Sequence, residues 1–257
     1  MSASSITDRP SPNFESRTRG VDLVVLHYTG MQNAEIALER LCDPKPVAGK
    51  YPGPWQPEDI DPDAPLGRAS AHYVVDEARA LFRLVDEDKC FWHAGQSSWG
   101  GEGEVNARSI GVEIVNGGHD FGCPDFPDAQ IDAVIALVGD ILKRRAMPAS
   151  RVVGHSDIAP ARKRDPGEKF PWKRLADAGV AVWPTLVTPS ATAPPDPGAL
   201  QGQLLAIGYG VEQTGVMDHV TKLALIAFQR RFRPEKIDGE ADAETRALLA
   251  ALARQSG

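Results

Sequence analysis

Cysteine is scarce in this chain. Cys42, Cys90 and Cys123 are the only three among 257 residues, they lie far apart, and no Cys-x-x-Cys pair occurs. An odd, scattered set excludes a disulfide scaffold and fits a reducing compartment. Basic residues are also in deficit: 28 Lys and Arg against 35 Asp and Glu leave a formal charge of −7. That balance excludes a general nucleic-acid or anionic-membrane binder, so an anionic substrate would need a local cationic cluster. No apolar run approaches the length of a membrane span. Residues 1–19 lack the basic patch, apolar run and small-residue cleavage site of a secretion signal. The expectation is therefore a soluble cytoplasmic protein. A trimmed signal would instead place it in the periplasm or at the outer membrane.

The remaining composition is that of a globular chain, with 42% hydrophobic and 25% charged residues. The clearest division is a Pro-rich stretch at 184–199, with Pro184, Pro189, Pro194, Pro195 and Pro197 among Ser, Thr and Ala. That composition predicts a semi-extended linker between a domain at 1–183 and a small domain at 200–257.

In the first domain, Val21–Leu26 reads as a buried strand, and 71–75, 80–85, 109–115 and 151–153 as further strands. Residues 33–41 and 128–147 have helical spacing, the latter with one apolar face and Asp128 as a candidate cap. Residues 42–67, rich in Pro, Gly and Asp and carrying Trp55, read as a long loop. Strands interleaved with helices predict an α/β fold, a central mixed β-sheet flanked by helices. The second domain reads as three helices: 200–207, one after the N-cap Asp218, and one after Asp242.

Six histidines are present. His27 ends the first apolar strand, His155 follows the last, and Asp165 lies ten residues further on. Polar residues at strand ends are where α/β sheets place their sites. Two His and one carboxylate with an open fourth position describe a catalytic zinc site. By spacing alone the same residues also read as ordinary polar groups at strand ends.

Five segments occur in order: Val24-Val25-Leu26-His27-Tyr28-Thr29, Ser70-Ala71-His72-Tyr73, Trp92-His93-Ala94-Gly95-Gln96-Ser97-Ser98-Trp99, Ser109-Ile110-Gly111-Val112-Glu113-Ile114 and the run from Gly154 to Gly167. Over about 21–172 they resemble the zinc-dependent N-acetylmuramoyl-L-alanine amidases of the AmpD/AmiD branch. The tail at 204–252, with Ala227-Phe228-Gln229-Arg230-Arg231-Phe232, resembles a helical peptidoglycan-binding domain. This order of parts is more similar to AmiD than to the shorter AmpD.

The resemblance implies an amidase/PGRP-like fold and Zn2+ held by His27, His155 and Asp165. In the branch with phage and animal members the third ligand is Cys, so Asp165 points to the bacterial branch. The resemblance makes Glu113 the general base and Lys163 the cation that stabilises the oxyanion. It makes Arg68 and Arg162 binders of stem-peptide carboxylates, and lines or buttresses the cleft with His72, Trp92 and His93. His119 and His219 match no role and read as surface residues. The 42–67 loop lies outside the shared motif and is expected to shape specificity. The implied partners are peptidoglycan fragments, chiefly anhydromuramyl peptides, met as a monomer in recycling. The alternatives are an exported amidase acting on polymeric peptidoglycan and a non-catalytic muropeptide sensor.

Overall fold

A computed structural model describes residues 6–51, 53–54, 56–57, 59–185 and 195–256. Trp55 and most of the Pro-rich stretch, residues 186–194, lie outside the described residues. The strands are β1 (Ile6–Asp8), β2 (Glu15–Ser16), β3 (Leu23–Tyr28), β4 (Tyr73–Val75), β5 (Leu81–Arg83), β6 (Lys89–Cys90), β7 (Ser109–Ile114) and β8 (Val152–Gly154). The α-helices are α1 (Ala34–Cys42), α2 (Val105–Arg108), α3 (Asp128–Arg145), α4 (His155–Ile158), α5 (Trp172–Asp177), α6 (Pro197–Ile207), α7 (His219–Phe232) and α8 (Ala243–Ser256). Six strands form one mixed sheet in the order β1-β5-β4-β7-β3-β8, and β2 pairs with β6 apart from it. The centre, β4, β7, β3 and β8, is parallel, while β4 and β5 form an antiparallel pair.

The sheet explains why the β3 segment is continuously apolar rather than alternating. Successive side chains point to opposite faces, and here both faces are covered. Val24 and Leu26 join Ile110, Val112 and Ile114 under α3, whose Ile131, Val134, Val138 and Ile141 are fully buried. Each such side chain contributes about 1.5–3 kcal/mol of burial. Leu23 and Val25 face the other way, into a core built with Leu200, Leu204, Leu225 and Phe228 of α6 and α7. The C-terminal helices therefore share a core with the sheet.

Local signals set the element ends. The Asn33 side chain accepts from Ile36 N at 3.0 Å to cap α1, and Asp218 accepts from Thr221 N at 2.7 Å to cap α7. Asp128 caps nothing: it is the first residue of α3, and its carboxylate pairs with Arg174 instead. Helix α6 begins at Pro197, ahead of the expected 200, because Asp196 caps it and Pro suits a first position. The short strands β1, β2 and β6 and the helices α2, α4 and α5 carry too few residues for a periodic signal.

The basic end of α3 is clamped to the sheet. Glu87, buried, accepts from Arg144 at 2.9 Å, from Arg145 at 2.6 Å and from Tyr73 O–H at 2.8 Å. Burial alone would raise this carboxyl, but the bonds from Arg144, Arg145 and Tyr73 overcome it and hold its pKa at about 2, against 4.5 ordinarily. A depressed native pKa stabilises the fold above the unfolded value and stops doing so as pH falls through the native one. Glu87→Gln should therefore cost on the order of 1–2 kcal/mol at pH 7, discounted because both guanidiniums reach solvent. In thermal melts the gap from the parent should close between pH 4.5 and pH 2.

Candidate active site

The site lies at the C-terminal ends of the parallel strands. His27 of β3 and Glu113 of β7 are cross-strand partners, and Leu26 is paired with Gly154, which immediately precedes His155. In parallel register, partners project on the same face. Leu23, Val25 and His27 thus share a face with Ser109, Gly111 and Glu113, and β7 alternates between these polar or small residues and Ile110, Val112 and Ile114.

Three buried donors converge. His27 Nδ1 and His155 Nδ1 are 3.0 Å apart, and each is 3.0 Å from Asp165 Oδ2. Asp165 reaches them because its loop returns to α4, where Ser156 N donates to the Asp165 carbonyl at 2.8 Å. Burial opposes ionisation of Asp165, but the neighbouring His155 and His27 hold its pKa well below the carboxylate range. Burial first, and the neighbouring His155 ring second, lower His27 to about 4.

The outer hydrogen bonds determine which ring nitrogens carry lone pairs. Ser109 Oγ–H donates to the Val105 carbonyl at 2.6 Å, so this oxygen accepts from His93 Nε2–H at 2.9 Å. His93, kept neutral first by burial and then by the neighbouring imidazoles and Arg17, must then accept at Nδ1. The donor there is His27 Nε2–H, at 2.8 Å, which leaves His27 Nδ1 unprotonated. His155 Nε2–H donates to the Ala94 carbonyl at 3.2 Å, so its Nδ1 is also a lone pair. Two lone pairs and a carboxylate oxygen 3.0 Å apart repel one another unless a cation joins them. The residues therefore fit a divalent metal, and two imidazole nitrogens with one carboxylate oxygen are a suitable donor set.

A cavity of about 370 Å³ opens over this cluster. Its walls include Glu113, Lys163, Trp92, His93, Arg162 and Arg164. Glu113 Oε2 is buried without a hydrogen-bond partner. Burial, and then the charge of Asp165, push its pKa well above the ordinary value, with Lys163 opposing. Gly111, two residues earlier, lets the rings behind the site close on the strand. A Cβ there would stand 2.8 Å from Phe91 and 3.0 Å from His93 Nδ1.

The other expected residues divide. Arg162 lines the cavity, with Nη2 donating to the Ala94 carbonyl at 2.9 Å. Arg68 is exposed outside the cavity lining, its guanidinium 4.9 Å from the centre of the Trp92 ring. His72 is not brought to the cavity: it is fully buried, accepts from Gly111 N at 3.0 Å and contacts the Lys89 carbonyl at 3.1 Å, joining the strands behind the site. His219 is exposed as expected, but His119 is not a surface residue. Its Nε2–H donates to Glu168 at 3.0 Å and its Nδ1 accepts from Tyr28 O–H at 3.0 Å, a chain complete without an ion although Cys123 lies near. Tyr28 and the Ala94 carbonyl were not legible as site groups. A backbone acceptor leaves no mark in sequence, and Tyr28 was visible only as the neighbour of His27. The 42–67 segment contributes Lys50, Tyr51, Leu66 and Gly67 to a second cavity of about 360 Å³. It touches the first at Met31.

Residues 17–168 match the family model described as N-acetylmuramoyl-L-alanine amidase. The chain belongs to this family. Residues 194–249 match a model for a peptidoglycan binding domain. Among curated members of the family, N-acetylmuramoyl-L-alanine amidase AmiD of Escherichia coli (strain K12) is 36% identical over 209 residues, 74% of this chain and 75% of AmiD. The 1,6-anhydro-N-acetylmuramyl-L-alanine amidase AmpD of Enterobacter cloacae is 36% identical over 139 residues, 49% of this chain and 72% of that protein. Among solved members, E. coli AmiD in complex with anhydro-N-acetylmuramic acid-L-Ala-D-gamma-Glu-L-Lys superposes with a TM-score of 0.74 at 32% identity. That match covers 94% of this chain and 92% of AmiD. AmpDh3 of Pseudomonas aeruginosa gives 0.75 at 34% identity, covering 93% and 94%. The mixed sheet flanked by helices is the fold of these amidases.

The outer bonds generate a prediction. His93→Phe keeps a ring against Gly111 but removes the acceptor that orients His27. Metal affinity, measured by competition with a chromogenic chelator, should fall about 10- to 100-fold.

Proposed function

We propose that this protein is a zinc amidase of peptidoglycan recycling that hydrolyses the amide between anhydromuramic acid and the L-alanine of the stem peptide. One observation carries the reading. A single cavity gathers three candidate metal donors, a carboxylate with one buried oxygen that has no hydrogen-bond partner, and a lysine, in a chain of the amidase family. A zinc ion held by His27, His155 and Asp165 would supply Lewis acidity to the scissile carbonyl and to water.

The protein's own groups account for the proton transfers and the charge. Glu113, with its proton affinity raised by burial and Asp165, takes the proton from the attacking water at its carboxylate and returns it to the departing amine nitrogen. Lys163, on the same cavity wall, offers its ammonium to the oxygen that gains negative charge. The order Lys163-Arg164-Asp165 lets one loop carry both the cation and the third donor. Arg162 and Arg164 give the cavity the local positive charge that the acidic chain lacks overall, suited to stem-peptide carboxylates. Trp92 supplies an apolar wall with Arg68 stacked at its rim.

A cytoplasmic location belongs to this proposal and is supported by three free thiols, Cys42, Cys90 and Cys123. Cell fractionation tests it.

Asp165→Ala should lose both bound zinc and activity. Glu113→Ala should retain zinc while kcat falls roughly 10²- to 10⁴-fold. Elemental analysis and peptide release separate the two outcomes. The deciding experiment incubates the protein, with and without a chelator, with anhydromuramyl tripeptide and with intact sacculi, and follows products by mass spectrometry. Chelator-sensitive release of peptide from the small substrate alone is expected. Equal release from sacculi would favour the exported reading that the peptidoglycan-binding match suggests. Binding without cleavage of either would sink the amidase assignment.

A further inference from the structure

Asp157 lies two residues after His155 and has no part in the chemistry above, yet it is among the most enclosed charged residues in the protein, 1% exposed. Its Oδ2 accepts from Gly154 N at 2.8 Å and thereby closes the turn that begins α4 and presents His155. Its two other bonds come from the C-terminal helical unit. Tyr209 O–H donates to Oδ1 at 2.7 Å, and Arg231 Nη1 donates to Oδ2 at 2.7 Å.

Arg231 is buried as well and ties two further points of the frame together. Its Nη2 donates to the Val152 carbonyl of β8 at 3.1 Å, and its guanidinium lies 3.9 Å from the centre of the Trp172 ring at the start of α5. The helical unit also grips the loop that supplies the Ala94 carbonyl to His155. Gly100 N donates to the Gly208 carbonyl at 2.8 Å, Trp99 packs edge-on to Tyr209, and a Cβ at Gly208 would stand 2.5 Å from Trp99.

We propose that Arg231 and Tyr209 are positioning residues for the metal site: through Asp157 they fix the turn that carries His155, so the helical unit sets how tightly the catalytic unit holds its metal. The proposal rests on the zinc reading of His27, His155 and Asp165. A buried carboxylate that loses its guanidinium partner is left uncompensated and reorients, which releases Gly154 N and loosens the turn. The same turn holds the Asp165 loop through the bond from Ser156 N to the Asp165 carbonyl, so two of the three donors are disturbed together. A peptidoglycan-binding role for the helices does not require either bond.

The test uses full-length protein and zinc alone. Zinc affinity is measured by chelator competition, and Tm with and without zinc, for Arg231→Met, Arg231→Lys, Tyr209→Phe and Leu249→Ala. Leu249 is buried in the same helical core, and its apolar side chain can make none of these hydrogen bonds. Arg231→Met should weaken zinc about 10- to 100-fold, the range for groups that orient ligands from outside. Its zinc-induced rise in Tm should shrink in step. Arg231→Lys should recover part of the affinity, and Tyr209→Phe should lose several-fold. Leu249→Ala should lower both melting temperatures while keeping zinc affinity. If Arg231→Met does not fold, Tyr209→Phe decides. Parental zinc affinity in Arg231→Met and Tyr209→Phe, with Tm lowered equally in both states, would overturn the proposal and leave the zinc reading intact. A parent protein that holds no zinc would overturn the zinc reading and this proposal with it.

Discussion

Two imidazole nitrogens and a carboxylate oxygen, each about 3.0 Å from the others in a buried place, are the constraint on which the rest of the structure depends. Nothing in that cluster favours its own assembly without a cation, because all three atoms present electron pairs to one another. The surroundings must hold them. The strand pairing places His27 and Glu113 side by side. The Ser109–His93 chain and the Ala94 carbonyl turn each ring so that Nδ1 faces inward. The α4 turn and the loop returning to it bring in His155 and Asp165.

The two faces of the sheet have separate tasks. The face under α3 is apolar throughout and anchors the strands. The opposite face begins with Leu23, Val25 and Val153 against the C-terminal helices and ends in His27 and Glu113 at the cavity. The helical unit therefore covers the same face that carries the chemistry. Its contacts with Asp157, Val152 and the 98–100 loop follow from that placement. An acidic chain achieves a locally cationic cavity in a similar way. Arg162, Lys163 and Arg164 are adjacent in sequence and all line it, while many other cations of the protein are paired with carboxylates.

Much of this was legible in the chain. The apolar runs and helical spacings locate β3, β7, α1, α3 and the three C-terminal helices, because burial on a sheet or against one helix face leaves a periodic mark. The candidate metal donors and the candidate Glu113–Lys163 pair were identifiable because five short motifs stand in family order. The elements that escaped are two to six residues long, too short for periodicity. The cap expected of Asp128 failed because a distant arginine, Arg174, competes for that carboxylate.

By itself, then, the sequence determined which residue types are available at the strand ends, the sheet-forming segments and the family. Tertiary structure alone decided which nitrogen each of these rings turns inward and what His72, His93 and His119 bond. His27 and His155 face inward as donors, His93 orients a donor, His72 joins strands, and His119 links Tyr28 to Glu168. The reason is physical. A ring nitrogen becomes a lone pair or a donor according to what its other nitrogen bonds, and those partners lie tens of residues away in sequence. The same holds for Arg231: in the sequence it is one residue of a helix motif, and only the packing of α7 on the sheet places its guanidinium on Asp157.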